Sequence, residues 1–259
     1  MDSYGIVSLS GGQGKTTTAF FLGLHLAGLG RKVLWVDTDP QHNLTLYSGI
    51  QVEEHRTLQQ VYRGQVRITD CIYATSWSNL FIIPANNDLA VINEYLSSTG
   101  NGGKMLARRL KGIRDYFDIC IIDAPPSRSQ IVVSVVGASQ KIIIPFEVTV
   151  KGTNCLIETI QFLENLADVE VWNGEVLGVL PFRDRWYGYH QLRDAKENME
   201  AVESYLNQKI HLFPAILESA QYRTAIRQGQ TLSNLGHPQL DLPFVHILEF
   251  IGVRAYAPA

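Results

Sequence analysis

Residues 8–18, with the sequence SLSGGQGKTTT, decide the fold of this chain. They lie between an apolar run at residues 4–7, which predicts a buried strand, and a helical pattern that begins at Lys15. Glycines between a strand and a helix allow backbone N–H groups to surround a phosphate chain, and the helix N-terminus adds a partial positive charge. We therefore expect Lys15 to reach the β- and γ-phosphates of a nucleotide and the Thr16 hydroxyl to bind Mg²⁺.

Short apolar runs alternate with helical patterns along most of the chain. The strand candidates are residues 4–7, 32–36, 80–83, 118–122, 141–145 and 175–180, with 209–213 as a weaker one. The helical patterns lie at residues 15–29, 87–97, 103–115, 127–138, 153–167 and 187–207. Near-continuous apolar strands are typical of parallel sheets that are covered on both faces. We predict a three-layer α/β fold, doubly wound around a mainly parallel sheet, with residues 1–259 in one domain.

A second polar group, VDTDPQHN at residues 36–43, follows the second predicted strand. Ligands of open parallel sheets bind outside the carboxyl ends of the strands, so Asp37 and Asp39 are candidates for a ligand site. A turn after the strand, in which Pro40 fixes φ, explains the same residues. This segment alone does not decide between the two interpretations.

The third group is FDICIIDAPPS at residues 117–127, where Asp123 ends an apolar strand. Asp123 is a candidate Mg²⁺ ligand, through a water molecule, because Mg²⁺ takes oxygen ligands and keeps much of its hydration shell. An aspartate at the end of a strand also serves as the N-cap of the next helix. Three such groups in this order and spacing favour the metal site.

The glycine loop departs from the general pattern GxxxxGK[ST], because Leu9 stands at the position of its first glycine. It matches the variant GGxGKTT, which resembles the deviant P-loop of the ParA/MinD family of partitioning and positioning ATPases. Residues 36–43 and 117–127 resemble that family's D-x-D-P-Q-x-N and D-Y-I-I-I-D-T/A-P-P-S segments. Residues 83–89 resemble its I-P-S/A…D-L segment, so that the resemblance covers nearly the whole chain.

The resemblance implies an ATPase with ATP and Mg²⁺ as its cofactors. It implies that Lys15 and Asp39 are catalytic, with Asp39 polarising the attacking water, and that Asp37 supports the Mg²⁺ shell. The loop residues that would hold the nucleotide are Gly11, Gly12, Gln13, Gly14, Lys15, Thr16 and Thr17. The adenine would lie near Phe182, Arg183, Leu217 and Glu218, where the correspondence with the family is looser.

Ser10 stands where the family has a lysine that reaches the partner's phosphates across a nucleotide-sandwich dimer. Either the chain does not form this sandwich, or another cation substitutes for the lysine. Lys151 is the candidate, because it lies at the ligand edge just before a predicted helix, and we expect it to act on the partner's nucleotide. A lysine with its ammonium group in water is the alternative interpretation.

With SGGQGKTT in place of KGGVGKTT, the chain resembles the ParA-type ATPases that position carboxysomes in cyanobacteria. The resemblance implies an ATP-dependent homodimer, non-specific binding to double-stranded DNA of the nucleoid, and stimulation by a small adaptor protein on the cargo. The candidate DNA contacts are a basic stripe of Lys104, Arg108 and Lys111 with Arg109 beside it, and the pair Arg223 and Arg227. Solvated helix faces explain the same residues.

Composition limits the range of partners. The 259 residues are 46% hydrophobic and 18% charged, with a net charge of −3, so DNA binding requires a local patch or a groove built by a dimer. The sequence has no run of eighteen apolar residues and no signal peptide, and its three cysteines lack metal-ligand spacing. We therefore expect no membrane partner and a cytoplasmic, nucleoid-associated protein.

Two other functions fit parts of the sequence. A membrane-cycling ATPase of the MinD type needs a basic amphipathic C-terminal helix, whereas residues 242–254 carry one Arg and one Glu and predict a helix packed on the core. A metabolic P-loop enzyme needs a small-molecule pocket beside the γ-phosphate. The Asp-Pro-Gln segment at residues 39–41 favours hydrolysis and switching instead.

Overall fold

The computed structural model describes residues 1–253, and its central element is an eight-stranded sheet. Its strands, in chain order, are β1 (Asp2–Ile6), β2 (Val33–Asp37), β3 (Tyr73–Ala74), β4 (Leu80–Ile83), β5 (Ile119–Asp123), β6 (Lys141–Glu147), β7 (Glu175–Asp184) and β10 (Ile216–Leu217). Between β7 and β10, β8 (Trp186–Tyr187) and β9 (His190–Gln191) form a separate hairpin. The order across the sheet is β10-β7-β6-β1-β5-β2-β4-β3. All pairs are parallel except β3 with β4, which confirms the predicted mainly parallel sheet.

Ten α-helices connect and cover these strands within residues 1–253. They are α1 (Lys15–Gly28), α2 (Asn43–Ser48), α3 (Leu58–Arg63), α4 (Ile92–Ser98), α5 (Met105–Leu110), α6 (Gln130–Ala138), α7 (Val150–Asp168), α8 (Arg193–Leu206), α9 (Gln221–Gln228) and α10 (Leu242–Phe250). None of the described helices is long and apolar enough to cross a bilayer.

The sheet separates two hydrophobic cores, as the three-layer prediction requires. Along β2, Leu34 and Val36 contribute to the core formed with α3 to α8, whereas Val33 and Trp35 contribute to the core formed with α1, α9 and α10. Successive side chains of a strand point to opposite faces, so every residue of β2 is buried. This double burial explains why the strand reads as a continuous apolar run.

The helix predicted for residues 187–207 is wrong at its start. Residues 186–191 form the β8–β9 hairpin, and α8 begins only at Arg193. Gly188 has φ +60 in the two-residue turn, and this left-handed conformation interrupts any helix.

The weaker strand at residues 209–213 is also wrong. These residues form a single bridge, between Val179 and Leu212, instead of a ladder. Two other predicted helices are shorter than expected: residues 111–116 form a 3₁₀ segment after α5, and α6 begins at Gln130 behind its N-cap Ser129.

The C-terminal helix packs on the core, as the sequence predicts. Phe244, Ile247 and Leu248 of α10 are buried, and Phe244 stacks on Phe21 of α1 at 5.1 Å between ring centroids. The core-facing side of α10 is therefore occupied by packing against α1. Arg254, the last residue of the predicted segment, lies outside the described residues.

Candidate functional site

The glycine loop connects the carboxyl end of β1 to the first turn of α1. Gly12 and Gly14 have φ of +80 and +95, values that favour glycine. Gly14 also contacts the ring of Phe182, since a Cβ placed there would lie 2.6 Å from the ring carbons. The loop conformation therefore depends on both the backbone freedom and the small size of Gly14.

Side-chain hydrogen bonds hold this loop in place. The buried Gln13 accepts a hydrogen bond from the Glu147 backbone N–H at 2.8 Å and donates one to the Gly11 carbonyl at 3.3 Å. The Leu9 backbone N–H donates to the Thr159 hydroxyl of α7 at 3.3 Å. These contacts join the loop to β6 and α7, so its backbone donors are ordered before any ligand arrives.

Lys15 is buried at the start of α1, and its Nζ donates to the Ser10 carbonyl at 2.8 Å. Burial lowers the pKa of its ammonium group, whereas the nearby carboxylates of Asp123 and Asp39 oppose that shift. The bond to a single carbonyl leaves two ammonium protons for phosphate oxygens.

Asp123 ends β5 directly below the loop, and it is fully buried. Neither of its carboxylate oxygens has a hydrogen-bond partner among the described residues. Burial, and then the charge of Asp37, raise the pKa of Asp123 well above its usual value, while the Thr16 hydroxyl and Lys15 act in the opposite direction. Although Thr16 and Lys15 lower its pKa, the charged carboxylate remains costly in this buried position, so the site fits an additional cation.

The donor set around Asp123 suits Mg²⁺. Thr16 and Asp123 supply hard oxygen atoms, and the described residues contain no cluster of three or more His, Cys, Asp or Glu side chains that could hold a metal by itself. Mg²⁺ is commonly held by one or two protein groups together with water and substrate phosphates. The site therefore fits a metal that arrives with a nucleotide.

Asp37 lies beside Asp123 in the register of the β2–β5 pair, and both of its oxygens are already bonded. One accepts the Thr45 backbone N–H at 2.8 Å and the Thr45 hydroxyl at 2.7 Å, and the other accepts the Asp39 N–H at 3.1 Å. Burial raises the pKa of Asp37 to about 6. In this structure its side chain fixes the turn between β2 and α2.

Asp39 is part of that turn, and it lines the cavity at the glycine loop. Its Oδ1 accepts the Gln41 backbone N–H at 2.9 Å, so the side chain is oriented by its own turn. The cavity has a volume of about 250 Å³. Its lining comprises Gly11, Gly12, Gln13, Gly14, Lys15, Thr16, Thr17, Asp39, Gln41, Asn43, Pro126, Phe182 and Arg183.

A second cavity, of about 290 Å³, adjoins the first through Thr17, Phe182 and Arg183. The rest of its lining is Tyr47, Leu217, Glu218, Ser219, Ala220, Tyr222, Arg223 and Ile226. Arg183 adopts φ +56, lies over the Phe182 ring at 5.2 Å, and pairs with Glu147 at 3.1 Å. The four residues predicted from the sequence to surround the adenine therefore meet at one cavity next to the loop.

Known proteins resemble this chain in sequence. A family model described as an AAA domain matches residues 3–171. Maintenance of carboxysome distribution protein A from Gloeothece citriformis is 44% identical over 96% of this chain and 96% of its own length. The protein of the same name from Synechococcus elongatus is 42% identical over 95% of this chain and 97% of its own. The chain belongs to the ParA/MinD-type family.

A solved structure extends this similarity to the fold. The ATP complex of an aspartate-to-alanine variant of McdA from Cyanothece has a TM-score of 0.96 to this chain at 42% identity, and the match covers 100% of this chain and 99% of the other. The predicted ParA/MinD-like fold is thereby confirmed.

Lys151, like Asp37 and Asp123, is a predicted site residue that lines neither cavity of this ParA/MinD-type chain. It is the second residue of α7, and its side chain is exposed. Thr149 caps α7 by accepting the Gly152 backbone N–H at 3.1 Å, so Lys151 lies in the first helical turn. This turn begins three residues after β6 ends, which leaves Lys151 at the same edge of the sheet as the loop.

Sequence reasoning missed the aromatic walls of the second cavity. Tyr47 of α2 and Tyr222 of α9 both line it, and neither belongs to a motif. The sequence predicts Arg223 only as a DNA contact, yet it lines the same cavity. Asn43 and Pro126 lie within the quoted segments and could have been included on that basis.

Proposed function

We propose that this chain is an ATP-hydrolysing switch of the ParA type. It dimerises on ATP, binds DNA without sequence specificity, and positions a cargo through a small adaptor protein. The names of its relatives, which concern carboxysome distribution, support carboxysomes as the cargo. The switch would act in the cell interior on the nucleoid.

The strongest support for the nucleotide site is the carboxylate of Asp123, which is buried near Lys15 and Thr16 and accepts no hydrogen bond of normal geometry within the described residues. Thr16 and Asp123 would hold Mg²⁺, which neutralises charge on the phosphates when it is bound. Asp37, whose oxygens accept hydrogen bonds from Thr45 of α2 and from the Asp39 backbone N–H, adds negative charge beside this position.

The positions of the other side chains support the remaining proposed roles. Lys15 exchanges its bond with the Ser10 carbonyl for phosphate oxygens, and the ordered loop donates backbone N–H groups to them. Asp39 faces the phosphate cavity and orients the attacking water, which suits a loose transition state that needs little proton abstraction. Phe182, with Leu217 across the second cavity, supplies apolar surface for the base.

Dimerisation would complete the site. Two nucleotide faces brought together place triphosphate charge at an interface, and that charge requires a cation from the partner. Ser10 supplies none, so Lys151, exposed at the same edge, would reach the partner's phosphates.

A basic groove at the opposite edge of the sheet is the DNA-binding candidate. It has a volume of about 630 Å³, and Lys104, Arg108, Lys111 and Arg114 line one wall. None of these four forms an ion pair within the described residues. Unpaired cations along one surface are what a phosphate backbone requires, irrespective of base sequence.

The proposal is tested by phosphate release from ATP and by gel shifts on two unrelated duplexes. The wild-type chain should hydrolyse ATP and shift both duplexes only with ATP, with binding that weakens steeply as salt is added. Lys15→Gln should lose ATP binding, because it removes the main point charge on the phosphates. Near-native ATP affinity in Lys15→Gln would overturn the site, and an oligomeric state independent of ATP would favour a metabolic P-loop enzyme.

A further inference from the structure

The β8–β9 hairpin exposes a row of aromatic side chains that the nucleotide site does not use. Tyr187 and Tyr189 are 82% and 96% exposed, and Trp186 and Leu192 are exposed beside them. Exposed aromatic clusters are uncommon on a monomer and are enriched at protein interfaces.

The hairpin is held rigidly despite this exposure. The buried carboxylate of Asp184 accepts the Trp186 indole N–H at 2.7 Å and the Gln191 side-chain amide at 2.8 Å. The Leu192 backbone N–H donates to the Arg185 carbonyl at 2.9 Å, which closes the base of the hairpin. A surface whose shape is fixed in advance loses little conformational entropy when it binds.

The position of the hairpin points to the nucleotide face. It begins three residues after Arg183, which lines both cavities of the site. Of the twelve large apolar side chains exposed in residues 1–253, six lie on elements that follow the carboxyl ends of β2, β6 and β7. They are Leu46, Val150, Trp186, Tyr187, Tyr189 and Leu192. Half of these exposed apolar side chains therefore lie at the edge of the sheet that carries the glycine loop, and four of the six belong to the hairpin and its end.

The charge of the hairpin favours a second copy of this chain over other partners. Residues 186–192, WYGYHQL, contain no Lys, Arg, Asp or Glu. Of the four ionic residues that flank it, Asp184 binds side chains of the hairpin itself, Arg185 pairs with Asp194, and Arg193 pairs with Glu197. A polyanion requires unpaired cations, and among residues 1–253 four of these line the groove at the opposite edge, whereas Arg185 and Arg193 beside the hairpin are both ion-paired. An uncharged patch meets its own copy without repulsion, as a two-fold interface requires.

We infer that the β8–β9 hairpin is an association surface for a second copy of the chain, engaged in the nucleotide-bound dimer. This inference rests on the proposed ATP-dependent dimer and adds to it an apolar contact outside the phosphates. Tyr187 and Tyr189 supply the contact area, and Asp184 holds them in position. The hairpin surface strengthens association and leaves nucleotide binding by a single chain unchanged.

The test compares Tyr187→Ser/Tyr189→Ser with Tyr116→Ser, a control that removes a 57% exposed tyrosine from the opposite edge. Sedimentation velocity with Mg²⁺ and a non-hydrolysable ATP analogue measures the dimer dissociation constant. A fluorescent ATP analogue at low protein concentration measures binding to the monomer. The hairpin variant should raise the dimer dissociation constant at least tenfold, while the control and the nucleotide affinity of both variants should change less than about twofold.

The possible failures are distinguishable. If the wild-type chain stays monomeric with the analogue, the proposed dimer and this inference fall together. If the wild type dimerises and the hairpin variant dimerises equally well, the inference fails and the dimer proposal stands. If the variant dimerises normally but no longer shifts DNA, the hairpin serves another partner and the inference is overturned.

Discussion

Asp123→Asn tests whether this chain keeps a destabilising charge in its core for the sake of a ligand. The carboxylate is fully buried and has no hydrogen-bond partner among the described residues. Removing its charge should stabilise the nucleotide-free chain and at the same time remove most of the stabilisation that Mg²⁺ and ATP provide. A purely structural aspartate would show neither effect.

The size of the first effect follows from the burial. A buried polar group without a partner costs about 1–3 kcal/mol, and a charged one costs more. Since Asn leaves an amide in the same place, we expect a gain of about 1–2 kcal/mol in the free energy of unfolding. For a chain of this length the gain corresponds to a rise in Tm of roughly 2–8 °C.

The gain should depend on pH with a defined sign. Burial and Asp37 raise the pKa of Asp123 above its unfolded value of 3.8. The wild-type chain therefore loses stability as the pH rises from the unfolded pKa to the folded pKa, and the full penalty is present above the folded pKa. The advantage of Asp123→Asn should be largest at alkaline pH and should disappear on acidification.

The assay is thermal unfolding followed by circular dichroism, with and without Mg²⁺ and ATP. Asp115→Asn, which changes an exposed aspartate of the 3₁₀ segment after α5, is the matched control. Ligand at a hundredfold excess over its Kd stabilises the wild type by about 2.7 kcal/mol, and the Asp123 variant should gain much less. A variant that is less stable than wild type without nucleotide, and that keeps the full ligand effect, would refute the reasoning.

Three further substitutions, the last with a matched control, probe other parts of the site. Asp39→Ala should keep ATP binding and slow hydrolysis at least tenfold, because it removes the group that orients water; unchanged phosphate release would exclude this role. Lys151→Ala should weaken ATP-dependent dimerisation and hydrolysis while sparing nucleotide binding by the monomer, and an ATP dimer with Lys151 far from both triphosphates would contradict it. Gly14→Ala should lower the free energy of unfolding by about 2 kcal/mol or more in urea titrations, because it combines φ +95 with a clash against Phe182. Gly12→Ala, strained but in open space, should cost less, and equal losses would show that the ring contact is unimportant.

The sequence predicted the parts of the site that are local in the chain. Asp37, Asp123 and the glycine loop each directly follow a buried apolar run, and in a parallel sheet such strand ends meet at one edge. The order of these segments along the chain therefore predicted that their residues would lie close together in the fold. The pairing of Asp37 with Thr45, in contrast, depends on how α2 folds back after the turn.

The parts that the sequence did not reveal depend on contacts between distant segments. Tyr47 and Tyr222 meet at one cavity although 175 positions separate them in the sequence, and neither has a local signal. The hairpin was hidden because its aromatic residues run directly into the helical pattern of α8, and Asp184 determines its shape only through side-chain hydrogen bonds. Residues 209–213 have the composition of a strand, but they pair with β7 at one position only and therefore form no strand.

The central claim is that the nucleotide controls association through the edge of the sheet that carries Asp123. Sedimentation velocity of the full chain without nucleotide, with ADP and with ATP, using Asp39→Ala to prevent turnover, tests it most directly. We predict a single chain of 29.0 kDa without nucleotide or with ADP, and twice that mass with ATP and Mg²⁺. The same mass in all three conditions, with ATP shown to be bound, would contradict the account.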